Sequence, residues 1–372
     1  MQSNNINAFF ELVRAGLWEK DARLSQFGNI DFNEVYRLAE EQSVVGLVAA
    51  GLEHVDDFKL PKEEVLQFVG QALQLEQQNQ AMNVFIGKLI EKMHAKGIYA
   101  ILVKGQGVAQ CYERPLWRAC GDVDFFLSED NYKKAIKFLE PMSSSCDQEL
   151  SGEKHVGMTI DSWVVELHGD LPSRISPRAD KVLKRVQDSV FYGGSISYWR
   201  DGKTDVFLLH PNENVIFVFT HILKHFFREG IGLRQICDWC RLLWTSRKEL
   251  DIVLLKERLE EMGFLPEWNA FAAFAVEYLG MPLESMPLYK KTEMSGRKAK
   301  CILDYILKVG NFGHNRDGSF RVKKSFLTRK WKAFKYKLED FHSHSRIFPV
   351  TSLRVFLMKL KSGIVSTIKH EG

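Results

Sequence analysis

Gly121-Asp122-Val123-Asp124-Phe125-Phe126-Leu127 reads as a short strand that begins acidic and ends in the core. Side chains at i and i+2 of a strand share a face, so Asp122 and Asp124 present two carboxylates side by side. Two like charges at that spacing repel, and one of them is pushed toward its protonated form. A divalent cation removes the penalty, and hard carboxylate oxygens suit Mg²⁺.

Working outward, residues 98–103 (Ile98-Tyr99-Ala100-Ile101-Leu102-Val103) form a β-prone run after Gly97 and predict a buried strand. It breaks at Lys104-Gly105-Gln106-Gly107. Glycines there let backbone N–H groups come close to a phosphate, and Lys104 adds positive charge. Arg118, four residues before Asp122, is placed to contact a triphosphate. Beyond the acidic strand, Ser128-Glu129-Asp130 opens a helix through Leu139, and residues 156–160 and 163–168 predict a hairpin around Asp161-Ser162. Glu166 on that hairpin is the candidate third carboxylate. Asp161 and Asp170 flank the same hairpin, and a one-residue slip in register would change the choice. His168 shares the face of Glu166 and reads as a hydrogen-bonded histidine beside the site. Cations on one side and glycine amides on the other are what transfer of a nucleotidyl group needs, because both stabilise charge on phosphate oxygens during in-line displacement.

Leu102-Val103-Lys104-Gly105, Arg118-Ala119-Cys120-Gly121-Asp122-Val123-Asp124 and Val165-Glu166-Leu167-His168, in that order, resemble the uncharacterised bacterial nucleotidyltransferase family of the DNA polymerase β-like superfamily. His221 to His225, Leu233-Arg234 with Asp238, and Gly310-Asn311-Phe312-Gly313 are similar to its downstream regions. The resemblance implies an α+β fold: a small mixed-sheet nucleotidyltransferase core flanked by helical N-terminal and C-terminal regions. It implies that Asp122 and Asp124 hold Mg²⁺, with two ions possible. Glu166 would complete the second metal site and help deprotonate the acceptor. Lys104, Gly105, Gln106, Gly107 and Arg118 would hold the nucleotide. The implied reaction moves an NMP from an NTP to a hydroxyl acceptor and releases pyrophosphate. Two departures from the superfamily pattern, Gly105-Gln106 in place of Gly-Ser and Glu166 in place of Asp, keep open a non-catalytic protein that binds a nucleotide or a partner on the same fold.

The remaining chain is helical by periodicity. Phe9, Phe10, Val13 and Leu17 recur at helical spacing, Asp31 is a cap, and a long helix is predicted from Pro61 to Lys96. Helices are predicted over 211–227, 233–245, 251–262 and 266–279, a loop over 310–318, and basic amphipathic helices over 323–339 and 352–368. The expected units are 1–97 (helical), 98–200 (nucleotidyltransferase core), 201–320 (helical) and 321–372 (basic helices). His221 and His225 have the i, i+4 spacing of zinc ligands, but Ile222 stands where the usual Glu would follow, so zinc is not expected; facing the nucleotide cleft from the helical domain is an alternative that the sequence does not decide. Cys237-Asp238-Trp239-Cys240 is a lone CxxC inside a helix and reads as core thiols, and Arg234 and Asp238 as an i, i+4 pair.

The net charge of +4 over 372 residues hides an asymmetry. Residues 321–372 hold 13 of the 51 basic and 3 of the 47 acidic residues, a net of +10, which leaves the rest at −6. Aromatics among those lysines suit single-stranded nucleic acid or an anionic membrane surface, though a docked amphipathic helix with solvated lysines is the expectation. No stretch approaches the ~20 apolar residues of a spanning helix. The N-terminus lacks the pattern of an export signal, and six cysteines are too few for a disulfide scaffold, so a cytoplasmic location is expected.

Overall fold

The computed structural model of the chain describes residues 2–149, 154–202, 204–315 and 326–368. Lys323 and Lys324 of the expected basic helix, and Arg316 to Gly318 of the expected loop, lie outside the described residues.

The N-terminal region is helical, with α1 (Gln2–Trp18), α2 (Phe32–Glu41), α3 (Val45–Leu52) and the long α4 (Lys62–His94). Asp31 caps α2 by accepting from the backbone of Asn33 and Glu34. Helices α1 and α3 cross in backbone contact. A Cβ on Gly16 would stand 1.9 Å from the carbonyl oxygen of Leu47, and one on Gly51 would stand 2.1 Å from that of Leu12. Gly16→Ala therefore forces the helices apart and is expected to lower stability by about 3 kcal/mol, the upper part of the range for overpacking. Urea denaturation checks this, and a variant within about 0.5 kcal/mol of wild type would show that the crossing yields.

Seven strands follow among the described residues: β1 (Ile101–Val103), β2 (Asp122–Phe126), β3 (Ser145–Cys146), β4 (His155–Ile160), β5 (Trp163–His168), β6 (Ile196–Asp201) and β7 (Thr204–Leu209). They form one mixed sheet in the order β3-β4-β5-β2-β1-β7-β6. The β2/β5 and β1/β7 pairs are parallel and the other four are antiparallel. The short α5 (Gly105–Ala109) leaves β1, α6 (Glu129–Leu139) leaves β2, and α7 (Pro177–Phe191) lies between β5 and β6. The boundary expected at 200/201 needs correction. It falls inside the β6–β7 hairpin, and β7 lies beside β1 within the sheet.

Alternation along β2 divides the two faces. Val123 and Phe125 are buried with Val165 and Leu167 against Phe85, Ile86, Leu89 and Ile90 of α4 and against Tyr132 and Ala135 of α6. The other face carries Asp122, Asp124 and Glu166 and turns toward α8 (Pro211–Arg228) and α9 (Leu233–Ser246), which are followed by α10 (Ile252–Met262), α11 (Leu265–Leu279) and α12 (Glu293–Val309). Helices α13 (Phe326–Ser345) and α14 (Pro349–Ile368) complete the described chain, and Phe341 of α13 stacks on Phe356 of α14 at 4.6 Å. No helix among the described residues is long and apolar enough to cross a membrane.

One buried carboxyl in the helical region carries a pH signature. Glu267 of α11 accepts from the Thr351 hydroxyl at 2.6 Å, while its Oε2 is buried with no partner among the described residues. Burial raises its pKa, so the folded chain holds this proton more tightly than the unfolded chain does. Its contribution is fully present below the ordinary carboxylate range and is lost as pH rises through the raised value. Glu267→Gln removes the ionisation and is expected to stabilise by about 1 kcal/mol at pH 8, with the gain shrinking toward pH 4. Denaturation at both pH values measures it, and a gain independent of pH would count against burial as the cause.

Candidate active site

Strand register brings the acidic side chains together. Asp124 lies opposite Val103 on one side and Glu166 on the other, and Asp122 lies opposite Val164. Asp122, Asp124 and Glu166 therefore share one face of two adjacent strands. Asp161 sits in the turn between β4 and β5 with a positive φ of 48°, which leaves Glu166 as the strand carboxylate next to Asp124.

The turn after β1 presents a cation to this face. Lys104 has φ 58° and ψ −146°, a conformation that residues with a Cβ avoid, at a cost of about 1–3 kcal/mol. Gly105 continues with φ 39°, a conformation that side chains rarely adopt, and a Cβ there would press on Cys120 Sγ at 3.2 Å, so glycine suits the turn. The strained backbone aims Lys104 at Asp124, with Nζ 2.6 Å from Oδ1. His168 donates to the same oxygen at 2.8 Å, and its Nε2 is 3.4 Å from Glu166 Oε2. His155, opposite His168 across the β4/β5 pair, donates to Glu166 Oε2 at 3.2 Å, and the two imidazoles stack at 4.7 Å.

Electrostatics separate the three carboxylates. Burial and the neighbouring Asp124 charge push the Asp122 carboxyl up. No ion-pair partner is found for Asp122 among the described residues. Burial alone would raise Asp124 as well, but the Lys104 charge and the His168 hydrogen bond override it and hold Asp124 low. Hydrogen bonds from His155 and His168 hold Glu166 far below the usual carboxylate range. Burial opposes the charge on Lys104 and on His168, yet the carboxylates around them keep both above their ordinary values.

These groups line one side of a cleft of about 380 Å³, within the range of small-molecule sites. The facing wall is α8. His221 and His225 line it, their Nε2 atoms 2.9 Å apart, with His225 Nδ1 2.8 Å from Glu229. Between them Lys224 lines the cleft with no hydrogen-bond or ion-pair partner among the described residues, and burial with the charges of Arg174 and Lys104 lowers its pKa. Burial and the Lys104 charge hold His221 well below its ordinary pKa, which keeps it neutral. Lys224 is the cleft cation that the sequence reading missed. Its spacing from His221 on one helix face was the available signal.

Three expected nucleotide contacts are placed otherwise. Gln106 is buried and turned toward α4, where its Nε2 donates to Asn79 at 2.7 Å. Gly107 is a packing glycine whose Cβ would stand 3.0 Å from Leu208 Cδ2. Neither residue lines the cleft, whereas Gly105 does. Arg118 reaches the cleft edge, but its guanidinium holds Asp238 of α9 through Nε at 2.8 Å and Nη2 at 2.6 Å, with a third bond from Nη1 to Ala119. Asp238 is thereby taken from its expected helix partner Arg234, which donates to the carbonyl of Ala119 instead. Cys237 and Cys240 are buried in the core.

A family model described as an uncharacterised nucleotidyltransferase matches residues 28–280, more than half of the chain. The crystal structure of an antigenic nucleotidyltransferase-like protein from Paracoccidioides brasiliensis is similar over 53% of this chain and 92% of that one. Its sequence identity is 14% and its TM-score 0.35. No curated protein matches the chain.

Proposed function

Because the chain belongs to the uncharacterised nucleotidyltransferase family, we propose that it moves an NMP from an NTP to a hydroxyl acceptor and releases pyrophosphate, with Mg²⁺ held by Asp122 and Asp124. The observation that carries the reading is the alignment of Asp122, Asp124 and Glu166 on one sheet face beneath a cleft with a basic far wall. The donor set fits the ion: two hard carboxylates lie on one strand face, and Asp122 forms no salt bridge among the described residues, Lys104 and Arg234 acting on it only at longer range. Bound there, Mg²⁺ would neutralise charge on the transferring phosphate. Lys224 meets the anionic tail from α8, the place first given to Gln106 and Gly107. Lys104 keeps Asp124 ionised. Glu166 accepts from both imidazoles, so its part in this reading is to fix them and complete the acidic face.

A second reading, nucleotide binding without transfer, has one observation in its favour: Lys104 already sits on Asp124 at 2.6 Å. Pyrophosphate release with each NTP, with and without Mg²⁺, across small alcohols, sugar phosphates, protein hydroxyls and RNA ends separates the two. Release that needs Mg²⁺ supports transfer. Tight NTP binding that ignores Mg²⁺, with no release, supports the binder.

A further inference from the structure

We propose that His155, Glu166 and His168 form a site for a borderline divalent cation of the Zn²⁺ class, separate in chemistry from the oxygen-only pair Asp122 and Asp124. The site shares Glu166 with the reading above but does not require nucleotidyl transfer to occur.

Three observations carry it. The Nε2 atoms of both histidines converge on one oxygen, Glu166 Oε2, at 3.2 and 3.4 Å. Zinc bonds of roughly 2.0–2.1 Å in a tetrahedron place neighbouring ligand atoms about 3.3 Å apart, so the trio already spans edges of such a polyhedron. All three ligand atoms lie within 4.8 Å of one another.

Second, the trio is preorganised. His155 and His168 are register partners on hydrogen-bonded strands, and their rings stack with 25° between planes. The sheet fixes their separation before any ion arrives, which reduces the ordering cost of binding. Third, a fourth position is left to the cleft: His155, Glu166 and His168 all line it, so water or a substrate oxygen can reach an ion held by the three.

Two imidazole nitrogens and one carboxylate suit zinc and its neighbours and poorly suit Mg²⁺, which wants oxygen donors in an octahedron. The protons now bridging His155 and His168 to Glu166 would leave as the metal takes their place. Nothing comparable is built on α8. There the His221 and His225 nitrogens face each other at 2.9 Å, and the carboxylate of Glu229 meets the far nitrogen of His225.

The full chain, stripped with a chelator, is titrated with Zn²⁺ by calorimetry and with Co²⁺ by visible absorption, in the absence of NTP. One equivalent of Zn²⁺ is expected to bind at least about a hundredfold more tightly than Mg²⁺. His155→Ala, at a partly exposed position, is expected to weaken Zn²⁺ binding at least about tenfold and to change the Co²⁺ spectrum. Cys146→Ser, which removes the exposed thiol, and His221→Ala should each bind Zn²⁺ as wild type does. Asp122→Asn should bind Zn²⁺ within about twofold of wild type even where pyrophosphate release is lost, so failure of transfer and failure of this site read differently. The proposal is overturned if no such equivalent binds, if His155→Ala binds as wild type, or if Cys146→Ser or His221→Ala removes the binding.

Discussion

Asp122→Asn is expected to lower NMP transfer at least about a thousandfold, about 4 kcal/mol of barrier, while leaving the fold as stable as wild type or more so. The two halves of this expectation have one cause. Asp122 is a carboxylate that burial and Asp124 push toward its neutral form, with no ion-pair partner among the described residues. Such a group costs the folded chain stability wherever it is ionised, and amide replacement relieves that cost. The sign follows from the direction of the shift. The raised pKa means that the folded chain prefers the proton, so the stability the group contributes at acid pH is lost as pH rises through the raised value. The stabilisation from Asp122→Asn should therefore grow from pH 4 to pH 8.

The same carboxylate, in the proposed reaction, meets Mg²⁺ and phosphate, and the isosteric amide cannot supply its charge. Asp124→Asn should behave differently. It removes the charge that holds Lys104 at 2.6 Å and accepts from His168 at 2.8 Å, so activity and stability should fall together. Pyrophosphate release and urea denaturation on the two variants at both pH values give the comparison. An Asp122→Asn protein that keeps transfer within tenfold of wild type would remove the acidic pair from the chemistry.

Much of the sheet was legible in the sequence because its signals are local. The period-2 split of Asp122-Val123-Asp124-Phe125 sends carboxylates and hydrophobes to opposite faces, and both faces are occupied accordingly. The hairpin around Asp161-Ser162 was legible too, and those two residues carry the positive φ values of 48° and 69° that a tight turn requires.

The β6–β7 hairpin was missed because its first strand does not look apolar. Ile196-Ser197-Tyr198-Trp199-Arg200-Asp201 is an edge strand whose side chains alternate between exposed and half-buried, and Tyr198 is 67% exposed. Only its glycines, Gly194 and Gly202 with positive φ, marked the turns. Gln106 was misplaced for a geometric reason. Once Gly105 opens a helix, each residue turns about 100° from the last, so the residue after one that faces the cleft faces α4. Lys224 could have been found from its spacing to His221 on one helix face, but the Arg118 partner was beyond reach of local reading, since it depends on how α9 packs against a residue 120 positions earlier.

That long-range pairing makes Arg118 the test of how the two halves are joined. Arg118→Met is expected to cost about 3 kcal/mol, and Asp238→Asn more, toward about 5 kcal/mol. Removing the arginine leaves one buried carboxylate, which still accepts from the Tyr112 hydroxyl at 2.8 Å. Removing the aspartate leaves two guanidinium groups, since Arg234 lies buried beside Arg118 and its pKa is lowered first by burial and then by the Arg118 charge. A carboxylate that balances two cations is harder to lose than either cation. The combination Arg118→Met, Arg234→Met, Asp238→Leu and Tyr112→Phe takes all the charge out of this contact, Arg234 included, and it should recover more than half of the loss from Asp238→Asn, because an apolar contact of similar volume avoids the desolvation of the ions. Urea denaturation of the three proteins decides the order. If Asp238→Asn proves milder than Arg118→Met, then Arg234 does not share this carboxylate, and the joint between sheet and helices rests on the single pair.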